Sequence, residues 1–328
     1  MARTAGCMAL AAMRMGAFLL ALLPSLAGAQ GDYPSHAVRL VVPFPPGGAT
    51  DVVARLLSAK LSEGLKQQVV VDNRPGAGAT LGTEQAARAP ADGYTLLITS
   101  FPSITTGPLT NPNVRYDPIE DFTHLALLGT FPNALVVRAD SPLHSVAGLV
   151  AYAKANPGKV TYGSAGPASS GHMTGQLLAR EAGIDIVHVP YKGAGPAFLD
   201  LLGGQIAADF DGMINAAKQA EAGKVRMLAV SSAARLASHP QLPTIAETVP
   251  GVSGESWFGV AAPAGLAQPL AARLESEITR AMAQPDVRAR LGETGMTLSE
   301  LRGAAVPEFI RADIRKWSPI ASALRGSK

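Results

Sequence analysis

The stretch from Val38 to Leu65 leaves this chain the fewest choices. Val38-Arg39-Leu40-Val41-Val42 is a short β-branched and apolar run, and Pro43-Phe44-Pro45-Pro46-Gly47-Gly48 halts it. After Ala49-Thr50-Asp51, apolar residues recur at helical spacing as Val52, Val53, Leu56, Leu57, Leu61 and Leu65. That pattern predicts strand, tight loop and amphipathic helix. The loop ends at a helix start, where the first backbone N–H groups lack intrahelical partners and the macrodipole is positive. A carboxylate or phosphate can be held there without Lys or Arg. Glycine lets a ligand come close to the backbone, and proline stiffens the approach. A plainer reading stands beside this one, with Gly47-Gly48 as a turn and Thr50 or Asp51 as an N-cap.

The same device returns later. Val160-Thr161-Tyr162-Gly163 reads as a strand, Ser164-Ala165-Gly166-Pro167-Ala168-Ser169 as a small-residue loop, and Ser170 as the start of a helix. Each copy alone is weak, but both are poor in cations, and His172 is the only basic side chain in either loop. A cleft of that kind suits a carboxylate held by backbone amides, by the hydroxyls of Thr50, Ser164 and Ser169, and by bridging water. Phe44 would cover an apolar part of the ligand or pack the lobe.

Between and around these units the periodicity is that of an α/β protein. Strands at Gln68 to Asp72 and Tyr94 to Thr99, with a short helix to about Arg88, complete a β-α-β-α-β series and hence a parallel sheet. Such sheets bind ligands beyond the carboxyl ends of their strands, so the loops Phe44 to Thr50, Asn73 to Thr80 and Thr99 to Thr106 are the ones to watch. Two extended segments are expected near Leu125 to Gly129 and Leu135 to Val137. A second α/β series then runs from Val160 to Val230, and a strand at Trp257 to Ala261 and three helices return the chain to the first half. The expected architecture is two α/β lobes with a ligand cleft between them, joined by hinge strands near Gly129 to Asn133 and Gly251 to Trp257. Lobe 1 is expected over 30–130 plus 254–328 and lobe 2 over 131–253.

The ends and the composition narrow the class. Arg3 and Arg14 are the only charges before Asp32, Met15 to Leu23 is apolar, and Ala27-Gly28-Ala29 supplies small residues for cleavage, so 1–29 is expected to be a cleaved export signal. The apolar run is too short to span a bilayer. Cys7, the only cysteine, would leave with the leader, so stability must come from a core rather than disulfides. Without Arg3 and Arg14, 26 basic side chains face 25 acidic ones, a formal charge of +1, which gives no footprint for nucleic acid.

Catalytic and cofactor signatures do not assemble. Gly76-x-Gly78-x-x-x-Gly82 misses the dinucleotide spacing by one residue, no GxxxxGK[ST] is present, and Gly163-Ser164-Ala165-Gly166 is not a nucleophile elbow. The six histidines, His36, His124, His144, His172, His188 and His239, form no close pair in sequence and have no cysteine partner. Ser169 and His172 fit helix capping better than catalysis. No catalytic residue, metal site or cofactor is expected.

Several motifs in fixed order resemble a known family. Pro43 to Asp51, Asp92-Gly93-Tyr94-Thr95-Leu96-Leu97, Tyr116-Asp117-Pro118, Tyr162-Gly163-Ser164-x-Gly166, Val189-Pro190-Tyr191-Lys192-Gly193 and Trp257-x-Gly259 are similar to those of the periplasmic receptors of tripartite tricarboxylate transporters, often called Bug receptors. The resemblance covers the mature chain. It implies a two-lobed periplasmic-binding-protein type II fold and a periplasmic receptor that closes on a small carboxylate; a monomer is expected, and an amino acid stays open as the ligand on the reading of Asp211 below. It also implies membrane permease subunits, one large and one small, as partners. Carried over, the ligand contacts would be Phe44, Pro45, Gly47, Gly48, Ala49, Thr50 and Asp51; Ser164, Ala165, Gly166, Ser169 and His172; Gly193, Ala194, Gly195 and Pro196; and Asp211. Two departures stand out. Ala168 occupies a position that is often Gly in the family, and Ser100 to Thr105 differs from the family's polar version, so ligand choice is expected to involve Ser100 and Ser103.

Asp211, at a strand end, has two readings: an acceptor for a ligand ammonium, favouring an amino acid or monocarboxylate, or a turn residue bonding its own backbone. The competing functions are an exported sensor whose closed lobes are read by a signalling partner, and an exported α/β enzyme, which would need an acid/base pair the sequence does not offer.

Overall fold

The computed structural model describes residues 33–293 and 295–326, so the leader expected at 1–29 lies outside the described residues. Strand β1 (Val38–Val42) is bounded by β2 (Val69–Asn73) and β3 (Thr95–Ser100), both parallel to it. Its apolar side chains are buried, as a central parallel strand covered on both faces requires. Helix α1 (Ala49–Leu65) buries Val53, Leu57, Leu61 and Leu65, one row at four-residue spacing, and stops at Lys66 in the left-handed region. Helix α2 (Thr80–Ala87) makes the second crossover, so the expected β-α-β-α-β series is observed.

Two departures from expectation follow. Residues Phe101–Thr106, expected as loop, form a π-helical turn leading into the one-turn helix α3 (Gly107–Thr110). Reciprocal capping starts that turn: the Ser100 amide donates to Ser103 Oγ at 3.0 Å and the Ser103 amide to Ser100 Oγ at 3.3 Å. Next, the two expected extended segments are a single 17-residue strand, β4 (Phe122–Arg138). Gly129 to Asn133, expected as a hinge strand, is the paired middle of β4, and the register shifts between His124 and Gly129 do not end the strand.

The second series comprises α4 (Val146–Ala155), β5 (Val160–Ser164), α5 (Ser170–Ala182), β6 (Ile186–Pro190), α6 (Ala194–Leu202), β7 (Ala208–Gly212), α7 (Met213–Glu221) and β8 (Val225–Val230). β5 lies parallel between β6 and β7, whereas β7 and β8 pair antiparallel with the second part of β4. Strand β9 (Glu255–Pro263) runs antiparallel between β3 and the first part of β4. The order β2-β1-β3-β9-β4-β7-β5-β6 thus makes β4 the strand common to both halves.

The tail carries α8 (Gln268–Ala283), α9 (Pro285–Glu293), a two-residue strand β10 (Thr297–Leu298) on β4 that the sequence did not announce, and α10 (Ala305–Gly326). The chain crosses between halves at Ser231. Its amide donates to Asn133 O at 2.8 Å, its hydroxyl accepts from the Asn133 amide at 2.8 Å, and its carbonyl accepts from the Gly254 amide at 2.7 Å. Among the described residues no helix is long and apolar enough to cross a membrane.

Candidate functional site

A cavity of about 920 Å³ opens beyond the carboxyl ends of β1, β2, β3 and β5. Its walls are Pro43 to Pro45, Pro75 to Ala79, Pro102 with Gly107, Thr110 to Asn113, Ala165 and Pro167 to Ser169 with His172, and Leu324 with Arg325. That size falls within the range of small-molecule sites. The walls are mostly proline, glycine and alanine, and among the described residues no acidic side chain borders the space.

The Phe44 loop is set by Asp51 from beneath. Asp51 is buried; Oδ2 accepts from the Gly47 amide at 3.0 Å and from Arg55 Nε at 2.8 Å, and Oδ1 accepts from Asn73 Nδ2 at 3.0 Å. Asn73 Nδ2 also donates to Phe44 O at 3.1 Å. The Arg55 hydrogen bond, against the opposing effect of burial, holds the Asp51 carboxyl down at about 2. Asp51 therefore shapes the loop and does not border the cavity. Gly47, Gly48 and Thr50 do not border it either, and Ala49 faces a separate recess of about 320 Å³ with Val52, Phe131 and Phe258. Of the contacts expected in this loop, Phe44 and Pro45 border the cavity, while Gly47 and Gly48 lie outside its walls.

The second loop behaves as expected at its far end. Ser169 caps α5, its hydroxyl accepting from the His172 amide at 3.3 Å and donating to Gly166 O at 2.7 Å. Ser169 and His172 both border the cavity, so the positive end of the α5 dipole abuts it. His172 Nδ1 accepts the Ala168 amide at 3.1 Å, which fixes its tautomer, and the ring stacks on His188 at 3.9 Å. Burial pushes His172 down to about 4. Burial and the neighbouring His172 push His188 down to about 3, so both imidazoles are neutral near pH 7. Ser164 lies behind the wall, fully buried, with Oγ 2.8 Å from His188 Nε2. Gly166 has φ +126°, and a Cβ there would lie 2.8 Å from Tyr191 O, so neither it nor Ser164 presents a side chain to the space. Ala168 adopts φ +63°, a left-handed conformation natural to Gly. Its carbonyl accepts from Thr106 Oγ1 at 2.8 Å, tying this loop to the end of the π-helical turn.

Other expected contacts lie elsewhere. Ser100 and Ser103 are buried and bonded to each other, and their neighbour Pro102 is the wall residue. Gly193, Ala194, Gly195 and Pro196 begin α6 and do not border the cavity; the Gly193 amide supports the second loop by donating to Ala165 O at 3.2 Å. Asp211 is buried away from the cavity, one carboxylate oxygen accepting from the Gly212 amide at 2.7 Å and the other from Asn215 Nδ2. Both oxygens are bonded within the turn, and Asp211 is not among the residues that border the cavity. Beside it Asp209 is also buried, neither oxygen makes a well-formed hydrogen bond among the described residues, and burial together with Asp211 raises it to about 8.

The sequence did not single out Gly76 to Ala79, Thr110 to Asn113 or Leu324 and Arg325 as site residues, although the first group falls in a strand-end loop flagged by topology. No group of three or more His, Cys, Asp or Glu side chains among the described residues could hold a metal ion.

Comparison with known proteins agrees with this geometry. The chain matches the tripartite tricarboxylate transporter family receptor model over residues 53–325. It is 36% identical over 290 residues to the protein BugT of Bordetella pertussis, covering 88% of this chain and 89% of that one. A solved R. palustris protein with adipate superposes with a TM-score of 0.80 at 35% identity, covering 88% of this chain and 97% of that chain. MatC from Rhodopseudomonas palustris, with bound malate, gives 0.77 at 31% identity, covering 88% and 100%. With the two-lobed α/β fold in place, the chain belongs to the tripartite tricarboxylate transporter receptor family and is a periplasmic solute-binding receptor.

Proposed function

We propose that this receptor captures a small carboxylate in the cavity between the Phe44 loop and the start of α5, and hands it to a two-subunit membrane permease. One observation carries the reading: the positive end of the α5 dipole borders a cavity whose walls, among the described residues, hold no acidic side chain to repel an anion. The adipate and malate held by the two R. palustris relatives support the same class. An amino acid fits less well, because Asp211 lies away from the cavity and no acidic side chain among the described residues borders it to pair an ammonium.

In this proposal lobe 1 spans 30–130 plus 254–328 and lobe 2 spans 131–253, with β4 and the start of β9 as the strands that flex. The mature protein is exported, soluble after loss of the 1–29 leader, and monomeric. It works by capture and closure, not by catalysis. The test is the melting temperature of refolded, ligand-stripped protein against a panel of mono-, di- and tricarboxylates and amino acids. A cognate carboxylate at a hundred times its Kd adds about 2.7 kcal/mol. Stabilisation by no carboxylate in the panel would overturn the reading.

A further inference from the structure

Among the described residues, Arg325 is the single permanent cation bordering the cavity. It lies in the last turn of α10, its side chain is exposed, and no acidic partner holds it among the described residues. Four other arginines are paired: Arg74 lies on Asp72, Arg88 on Glu84, Arg235 on Glu247 and Arg311 on Glu308. A free guanidinium at a cavity without carboxylates is a receptor for an anion, and its planar donors match a carboxylate two-to-two.

The helix that carries Arg325 is anchored to the cavity wall. Asp313 Oδ2 accepts from Thr105 Oγ1 at 2.7 Å and Trp257 Nε1 at 2.9 Å, and Oδ1 accepts from Trp317 Nε1 at 2.9 Å. Thr105 belongs to the π-helical turn whose Pro102 is a wall residue, so the turn and α10 share one buried joint. From Asp313 the helix runs roughly 18 Å to Arg325 at its usual rise per residue. The guanidinium is thereby delivered to the rim by a braced element rather than a free tail.

The α5 start and Arg325 are two separate anion-favouring groups on one cavity, the first uncharged and the second a full cation. We propose that Arg325 is the specificity-determining residue of this receptor: it takes the second carboxylate of a dicarboxylate whose first carboxylate lies against the start of α5. The proposal rests on the carboxylate-receptor reading above. A monocarboxylate would leave the guanidinium unpaired, and an amino acid would bring an ammonium to a rim that already holds a cation.

The experiment is calorimetric titration of ligand-stripped protein with succinate, adipate and suberate, each against the monocarboxylate of equal length (butyrate, hexanoate, octanoate), for wild type, Arg325→Gln and Arg325→Lys. At least one diacid should bind wild type about tenfold or more tightly than its matched monoacid, the worth of one charge-assisted pair. Arg325→Gln should close most of that gap by weakening the diacid about tenfold more than the monoacid, and Arg325→Lys should restore part of it. Equal weakening of both ligands by Arg325→Gln, or no weakening, overturns the role of Arg325. Wild type that binds monoacids as tightly as diacids, or binds only other carboxylates, overturns the dicarboxylate assignment and leaves the receptor reading standing. Binding of no carboxylate at all overturns both.

Discussion

His172 does two jobs that need it neutral. Its Nδ1 must keep a lone pair to accept the Ala168 amide, and its ring stacks on His188, where two imidazolium charges would repel. Burial lowers His172 from its ordinary 6.5 to about 4, so between those values the unfolded chain takes up a proton that the folded one refuses. Its contribution to stability is complete above about pH 6.5 and is lost as pH falls toward 4, at about 1.4 kcal/mol per pH unit. Asp209 works in the opposite direction. Raised from 3.8 to about 8, it keeps a proton in the folded state that the unfolded chain releases, so stability falls as pH rises through that window. Denaturant melts from pH 4 to 8 should show His172→Gln flattening the acid side and Asp209→Asn the alkaline side. Identical pH profiles in wild type and both variants would contradict these environments.

At the scale of elements, Asp313 is the joint between α10, β9 and the π-helical turn. Asp313→Ala leaves two indole N–H groups and a hydroxyl without their acceptor, and should cost at least about 3 kcal/mol in a denaturant melt. A loss under about 1 kcal/mol would mean the joint does not brace the helix. How much of this could be read from the residues depends on range. The β-α-β-α-β series and the α5 start were legible because their signals are local: apolar period, Pro/Gly punctuation, Ser169 ahead of a helix. Asp51 was legible as a first-turn acid, but its grip on Asn73 and hence on Phe44 was not, because it joins residues 22 apart. β4 was expected as separate extended segments with a hinge strand at Gly129 to Asn133, and their continuity was not legible because β9, which pairs with Gly129 to Pro132, is more than 120 residues away. Arg325 was invisible, since nothing in the last turn of a terminal helix announces that tertiary packing will carry it to a cavity.

For the whole molecule, β4 is the strand both halves share, and Ser231 pins the crossings at Asn133 and Gly254. Asn133 Nδ2 also donates to Ser170 Oγ at 3.0 Å, so the crossing touches the start of α5, where the anion is proposed to bind. Closure about these crossings should appear as a smaller radius of gyration in X-ray scattering when a tight carboxylate is added; tight binding with no compaction would contradict a hinge at β4. Ser231→Ala removes the acceptor of the buried Asn133 amide and should lower stability by about 1–3 kcal/mol. The most direct measurement is a crystal structure with the best carboxylate from the binding panel. The predicted result is a carboxylate within hydrogen-bond distance of the first-turn amides of α5, beside Ser169 and His172, with Phe44 against the ligand's apolar part. A ligand seated instead on Gly47 to Asp51, or in the recess of Ala49, Val52, Phe131 and Phe258, would contradict the account.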